Sequence, residues 1–377
     1  MVQKKLTLKF WLLFVVLFAA SSAFAVDFQG EAGLFLNHEL KIKPTFELTS
    51  DFGNLRLKAN KGFIDFHDSF AFKGFKSLPS NAVSAELLTS GYEFSFRLLT
   101  FDFRYEKLLS NLRDSRRFVA HRVKVTRENL PVYLDFYETS VIVGEGKEIY
   151  YMYNHIPFLP VYLVQHLSLK NSAVDNKDIN VLMGFNAGYM FKNKAILYVD
   201  VIVDDFPAVP WAYKQLPVMG TTLGYSSKLY GLEDSCWQFA LAATANTRYL
   251  HAHWAGEGRY TVNNEFLGDD LGPDAAKING VLNYQKPGLN AAFTLGYELH
   301  GPGTLGEYWV YIGREEAYKT FFLSEIVEQK AKINAYFTKN LTDEVELKTE
   351  IGLKRTYPKE DKPFNSFKGA IGINILF

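Results

Sequence analysis

A two-residue alternation of apolar and polar side chains runs through nearly the whole chain after residue 25, broken by Gly, Asn, Asp and Pro. In 344–354, Val345, Leu347, Ile351 and Leu353 share one face, while Glu344, Glu346, Lys348, Glu350 and Lys354 share the other. Successive side chains of a strand point to opposite sides of a sheet, so a period of two specifies strands and not helices of period 3.6. The same division sets Leu289, Ala291, Phe293, Leu295, Tyr297 and Leu299 against Asn290, Thr294 and Glu298. It sets Trp237, Phe239 and Leu241 against Gln238 and Thr244, and Val119, Val123 and Val125 against Arg122 and Lys124. Further strands are expected around Phe46, Leu55, Phe94, Val132, Val181, Val199, Leu223, Ile278 and Ile333.

One face of these strands carries full charges, and the other is apolar and aromatic. Two environments fit: a soluble sandwich with a wet exterior, or a membrane barrel with lipid outside and a polar lumen. Segments of about ten residues match the 9–11 that cross a bilayer at a tilt, whereas ordinary strands average about five or six. Cys236 has no partner in the chain, which excludes a disulfide scaffold. At the end, Phe367, Ile371, Ile373, Ile375 and Phe377 alternate with Lys368, Gly372 and Asn374. A terminal aromatic on an alternating last strand resembles the recognition signal of bacterial outer-membrane barrels. The expected fold is therefore all-β: a transmembrane antiparallel β-barrel of about 16 to 18 strands with a few short accessory helices.

Composition agrees. A mean hydropathy of -0.08 is too polar for a bundle of membrane helices, each of which needs about 20 apolar residues. The 32 Phe and 22 Tyr are far too many for a disordered chain. Lys and Arg number 41 against 41 Asp and Glu, which gives no basic excess for nucleic acid. Lys4, Lys5 and Lys9, the apolar run 10–20 and Ala23-Phe24-Ala25 describe a secretory signal peptide over 1–25. Residues 26–377 then form a single barrel domain. Three helical insertions are expected: 106–117, where Leu108, Leu109 and Leu112 recur at helical spacing; 149–169, with Pro157 and Pro160; and 315–329, with Tyr318, Phe321, Phe322 and Ile326.

Chemical motifs are sparse. The chain has no HExxH, GxSxG, P-loop or CxxC, and His251-Ala252-His253 offers two imidazoles without a third ligand. No catalytic residue, metal or cofactor is expected. Two acidic clusters stand out: Asp204-Asp205-Phe206 at the end of a strand, and Gly268-Asp269-Asp270-Leu271-Gly272-Pro273-Asp274-Ala275 between turn residues. Such carboxylates can accept hydrogen bonds from sugar hydroxyls, hold calcium, or shape turns.

The clusters belong to a longer series: Ala120-His121-Arg122 leading into a strand, Glu138 through Val143-Gly144-Glu145, the tract 153–160, Asp175-Asn176, Tyr198-Val199-Asp200, and then the two acidic clusters. In this order and spacing, over 118–306, the chain resembles the Wzi-type capsule-assembly proteins of the outer membrane. It departs from their pattern at Asp200, where a Glu usually follows the Tyr. The resemblance implies a monomeric outer-membrane barrel, blocked by inward loops, that holds exported polysaccharide in a lectin-like way. Implied partners are that polysaccharide, outer-membrane lipids and, through Phe377, the barrel-assembly machinery. From chemistry and motif position, the glycan-contact candidates are Asp204, Asp205, Trp254, Tyr260, Asp269, Asp270 and Asp274. Apolar sugar faces stack on aromatic rings while hydroxyls find acceptors. The alternative is a passive porin or solute channel, because the charged face carries both signs, as at Lys348 beside Glu346 and Glu350.

Removing Phe377 or replacing it with Asp should impair outer-membrane assembly far more than Lys362→Asp in the polar turn before the last strand. Equal yields of assembled protein from the two variants, measured in membrane fractions, would show the last strand to be misread.

Overall fold

The computed structural model describes residues 26–29, 31–34, 46–52, 55–65, 86–111, 116–127, 130–143, 179–192, 195–204, 218–230, 235–250, 252, 259–262, 265–266, 271–304, 307, 312–342 and 345–376. The strands are β1 (Val26–Gln29), β2 (Glu31–Leu34), β3 (Phe46–Phe52), β4 (Leu55–Asp65), β5 (Glu86–Leu98), β6 (Phe101–Asn111), β7 (Arg116–Arg127), β8 (Val132–Val143) and β9 (Ile179–Met190). They continue with β10 (Ile196–Asp204), β11 (Met219–Tyr230), β12 (Cys236–Asn246), the two-residue pieces β13 (Thr261–Val262) and β14 (Glu265–Phe266), and β15 (Ala275–Lys286). The last are β16 (Leu289–His300), β17 (Glu328–Asn340), β18 (Val345–Pro358) and β19 (Phe364–Leu376); one helix, α1 (Arg314–Lys319), precedes β17. Every strand expected from the alternation is present.

From β3 to β12 each strand pairs antiparallel with the next, β12 passes to β15, and the ladder runs on to β19. β1 pairs with β3 and β2 with β19, so the two end strands of the ladder each meet a piece of the same N-terminal segment. The connections fall into two classes. At one end they are tight, such as Leu99-Thr100 after β5 and Pro287-Gly288 after β15. At the other they span 144–178, 205–218, 247–274 and 301–327. Barrels of the bacterial outer membrane have short periplasmic turns and longer extracellular loops, which assigns the long-loop end to the outside of the cell.

Register carries the polarity. Arg104, Lys124, Asp135, Asn186, Asp200, Thr222, Thr244, Lys277, Glu298, Lys330 and Thr356 are successive cross-strand partners in one unbroken polar row. Beside it, on the reverse face, run Leu134, Ala187, Val199, Leu223, Ala243, Ile278 and Tyr297. Leu223 is 55% exposed and Ile278 50%, so the apolar face is the outer one. A soluble sandwich would bury that face; a transmembrane barrel turns it to lipid. With the charges inward, the chain is an all-β transmembrane barrel.

Three inward tyrosines lie flat across the next strand. An added Cβ at Gly184, Gly188 or Gly224 would fall 1.9–2.0 Å from a ring atom of Tyr137, Tyr133 or Tyr198 respectively. Glycine is needed there because the ring occupies the space a side chain would take.

Two expectations need correction. The region 106–117 is not a helix: β6 runs to Asn111 and β7 starts at Arg116, with Lys107 opposite His121 and Leu109 opposite Val119. A helix this short is marginal by itself, and ladder hydrogen bonds to the strands on either side prevail. The helix expected over 315–329 is confined to Arg314–Lys319, after which Leu323 takes φ 39° and β17 begins at Glu328. The segment 149–169, the segment 1–25 and Phe377 lie outside the described residues.

The outward alternation also breaks. Lys107, His121 and Glu138 stand in register on the apolar side yet are 0%, 9% and 4% exposed, and Ser140 and Ile142 above them are buried too. Toward the long-loop end, β7–β9 are covered on both faces, so the lipid-facing band on this side stops near Phe136.

The folded protein should resist SDS at room temperature and shift mobility on boiling, because paired backbone groups do not open locally. Gly184→Val should lower the temperature of that shift, since overpacking costs about 1–3 kcal/mol, and adding Tyr137→Ala should restore part of it. An unchanged transition in Gly184→Val would show that Tyr137 does not lie across β9.

Candidate functional site

The described candidate residues Asp204, Tyr260 and Asp274 all lie at the long-loop end. It is built from the connection 247–274 after β12 and the connection 301–327 after β16. The first crosses the inner side of the sheet. Tyr260 donates its hydroxyl to Thr139 Oγ1 of β8 at 2.6 Å and meets the Phe118 ring of β7 edge-on at 6.3 Å. Nearby, the Arg259 carbonyl accepts from Arg116 Nη1 at 3.5 Å. In the ladder β12 and β8 are separated by β9, β10 and β11, so Tyr260 is fastened three strands beyond the neighbours of the strand its connection leaves. Burial holds the Tyr260 phenol well above the ordinary range, so it stays neutral and remains a donor.

Asp274 fastens the two connections together. Its Oδ2 accepts from the backbone N–H of Gly303 at 3.0 Å and its Oδ1 from that of Leu323 at 2.6 Å. Its own N–H donates to the Thr247 carbonyl at 3.1 Å, and its carbonyl accepts from Gly301 N–H at 2.7 Å. Asp274 sits at φ 50°, a left-handed conformation that Asp tolerates better than most residues. A Cβ at Gly301 or Gly303 would come within 2.2 Å or 2.5 Å of the Asp274 side chain, so both positions admit only glycine at this spacing.

A second clamp lies alongside. Arg248 grips Glu307 with Nε to Oε2 at 2.7 Å and Nη2 to Oε1 at 3.0 Å, and its N–H donates to the Phe321 carbonyl at 2.7 Å. The Glu307 carboxylate raises the Arg248 guanidinium above its ordinary range, as an acceptor on the charged form must. Asn246 Nδ2 holds the Gly272 carbonyl at 2.9 Å. Thr247 pairs its N–H with the Met219 carbonyl and accepts the Met219 N–H on Oγ1, both at 2.9 Å.

Below the mouth, the inner wall of β7–β10 is a packed polar layer. Arg122 Nε donates to Asp135 Oδ2 at 2.6 Å, Tyr137 donates to Asp200 Oδ1 at 2.8 Å, and Lys124 Nζ stands 5.3 Å from the Tyr133 ring centre. Asp200, where the sequence departs from the resembled pattern, is thus the acceptor for a cross-strand tyrosine. The wall of β16–β19 is wetter. Lys332 reaches Glu298 at 2.6 Å, Lys368 reaches Glu350 at 2.9 Å, and the Lys368 side chain is 68% exposed.

The candidate residues therefore divide. Tyr260 and Asp274 are fully buried fasteners: the ring expected to stack on sugar packs on Phe118, and the carboxylate expected to accept from sugar accepts from backbone. Asp204 ends β10 and is 3% exposed. Asp205, Trp254, Asp269 and Asp270 lie outside the described residues, as do His251 and His253. Among the described residues no group of three His, Cys, Asp or Glu is arranged to hold a metal ion. Sequence reasoning missed Arg248, Glu307, Gly301 and Gly303. The glycine pair after β16 was the available signal.

The fold and the fastened connections define a class: an outer-membrane β-barrel whose long connections are tied to one another and to the wall at one end. Among solved structures, the chain is similar to Wzi of Escherichia coli, an outer-membrane, carbohydrate-binding β-barrel involved in group 1 capsule assembly. That match has a TM-score of 0.58 and 12% identity, and covers 94% of this chain and 83% of that one. Weaker matches include the outer-membrane channel DcaP of Acinetobacter baumannii, with TM-score 0.44, 9% identity, and 95% and 98% of the two chains covered. BamA from Haemophilus ducreyi, lacking its first three POTRA domains, also gives 0.44 at 9% identity, covering 93% of this chain and 69% of that one. No family model matches. No curated protein matches by sequence.

Asp274→Ala should strand the Gly303 and Leu323 N–H groups and remove two hydrogen bonds to a charged acceptor, each contributing about 1.5–3 kcal/mol. Limited proteolysis should then cut within 301–327 while the barrel keeps its heat-dependent shift in SDS. Asp274→Asn, which keeps one acceptor and tolerates the positive φ, should be intermediate. Wild-type resistance in Asp274→Ala would remove the clamp.

Proposed function

We propose that this chain is a Wzi-type outer-membrane barrel that holds exported polysaccharide at the cell surface without chemical turnover. The observation that carries the reading is the fastened mouth: Tyr260 anchored on Thr139, and Asp274 joining two loops, fix the long connections at the extracellular end. The likeness to Wzi supports it at the level of fold, and the order of the sequence motifs supports it independently. Asp205, Trp254, Asp269 and Asp270 keep their proposed role as sugar contacts at that surface. Lipids would meet the outer apolar face, and Phe377 would serve the assembly machinery.

One observation favours a second reading, a passive channel. The inner wall of β17–β19 carries paired charges of both signs in contact with water, such as Lys348 with Glu346 at 3.1 Å. Purified protein in a planar bilayer distinguishes the two. The polysaccharide-holding reading expects no steady conductance, and deletion of the gene in the host should move polysaccharide from the cell-bound to the shed fraction. A stable ion-selective conductance with unchanged polysaccharide distribution would establish the channel instead.

A further inference from the structure

The connection between β16 and β17 exposes large apolar side chains at the extracellular end. Ile312, Tyr318, Phe321, Phe322 and Ile326 are each between 36% and 46% exposed. Clustered apolar exposure of this kind marks an interaction surface. It is not a loose tip. Ala317 of α1 is fully buried, Thr320 N–H returns to the Glu316 and Ala317 carbonyls, the Phe321 carbonyl is held by Arg248, and Leu323 N–H is held by Asp274. The backbone that carries the rings is fixed before anything binds.

We propose that Tyr318, Phe321 and Phe322 form a stacking platform for the pyranose rings of the exported polysaccharide. This rests on the function proposed above and moves the main contact from the buried Tyr260 to the exposed rings that Asp274 holds in place. Three features select sugar as the occupant. The platform lies at the long-loop end, on the cell exterior. Its polar groups are hydrogen-bonding and mixed in sign: the side chains of Glu316 and Lys319 are 58% and 70% exposed and stand 3.7 Å apart. A pyranose offers an apolar C–H face to a ring and hydroxyls at its edge to such neighbours. Charge disfavours a lipid headgroup. Segments that lie on anionic lipid are rich in Lys and Arg, whereas 312–326 holds Glu315, Glu316 and Glu325 against Arg314 and Lys319, and Glu325 already takes up Lys359. Rigid aromatic side chains on an ordered backbone lose little freedom on binding, which suits a repetitive ligand of weak individual contacts.

The test uses the full-length protein in detergent and, as probe, surface polysaccharide purified from the cells that carry the gene. The combined Tyr318→Ala, Phe321→Ala and Phe322→Ala variant should bind at least about tenfold more weakly, equivalent to about 1.4 kcal/mol, with an unchanged heat-dependent shift in SDS. Separately, Phe321→Trp should retain binding, and its emission should change as the polysaccharide saturates. If wild type binds and the triple variant binds equally, the platform is overturned and the polysaccharide-holding function stands. Wild type that does not bind overturns both. Unchanged Phe321→Trp emission at saturation overturns the platform even if the triple variant misfolds. Quenching of that Trp by brominated lipid in phosphatidylethanolamine and phosphatidylglycerol vesicles would assign the surface to the membrane. A sedimenting dimer lost in the triple variant would assign it to a second copy of the chain.

Discussion

A backbone polar group in hydrocarbon has no water to bond, and leaving it unpaired costs several kcal/mol. The ladder from β3 to β19, with β1 and β2 against its two end strands, is the answer to that constraint, and the remaining features depend on it. Once the ladder is imposed, register decides which side chains meet lipid, because a slip of one residue would exchange the two faces of a strand. The polar row from Arg104 to Thr356 shows how consistently this is obeyed: its members come from strands far apart in sequence, and each falls on the inner face. Tyr137, Tyr133 and Tyr198 lying over Gly184, Gly188 and Gly224 fix neighbouring strands where a slip would be most damaging.

The constraint ends where the bilayer ends. On β8, Val132, Leu134 and Phe136 are exposed outward, and the next outward residue, Glu138, is buried against His121 at 2.6 Å. A histidine–carboxylate pair with Lys107 beside it would be expensive facing lipid tails, where only a bundle interior or aqueous cavity accommodates charge. Its burial under protein marks the height at which these strands leave the membrane and become an ordinary two-sided layer. Tyr260 packs the inner side of that same layer, so the mouth is braced against the part of the wall that lipid no longer touches.

What was legible in the sequence follows from the range of the interactions involved. Strands were legible because alternation is a local consequence of burying one face, and it survives over most of the long strands, failing where β7 and β8 are buried on both faces. The supposed helix at 106–117 failed because a few leucines at helical spacing are weaker evidence than two flanking ladders, which no local pattern reveals. Asp274 was legible as turn chemistry, but not the use made of it. The partners of Asp274 lie 29 and 49 residues away, at Gly303 and Leu323, and nothing near Asp274 names them. Tyr260 reads as an available ring in a polar loop until Thr139, 121 residues earlier, is placed beside it.

That division bears on how the mouth could act. A carboxylate saturated by backbone N–H groups and a phenol buried against phenylalanine make poor ligand contacts but good fasteners. A loop cap needs fasteners if it is to present weakly binding groups in a fixed arrangement. A channel can use the same rigidity to keep a loop against the wall, as Tyr260 is kept on Thr139. A surface that must hold a long, repetitive, hydrated polymer gains a great deal, since each sugar contact is small and any freedom lost on binding would offset it. Charged pairs along β16–β19 are compatible with either use, because water satisfies inward charges whether or not a contact surface lies above them.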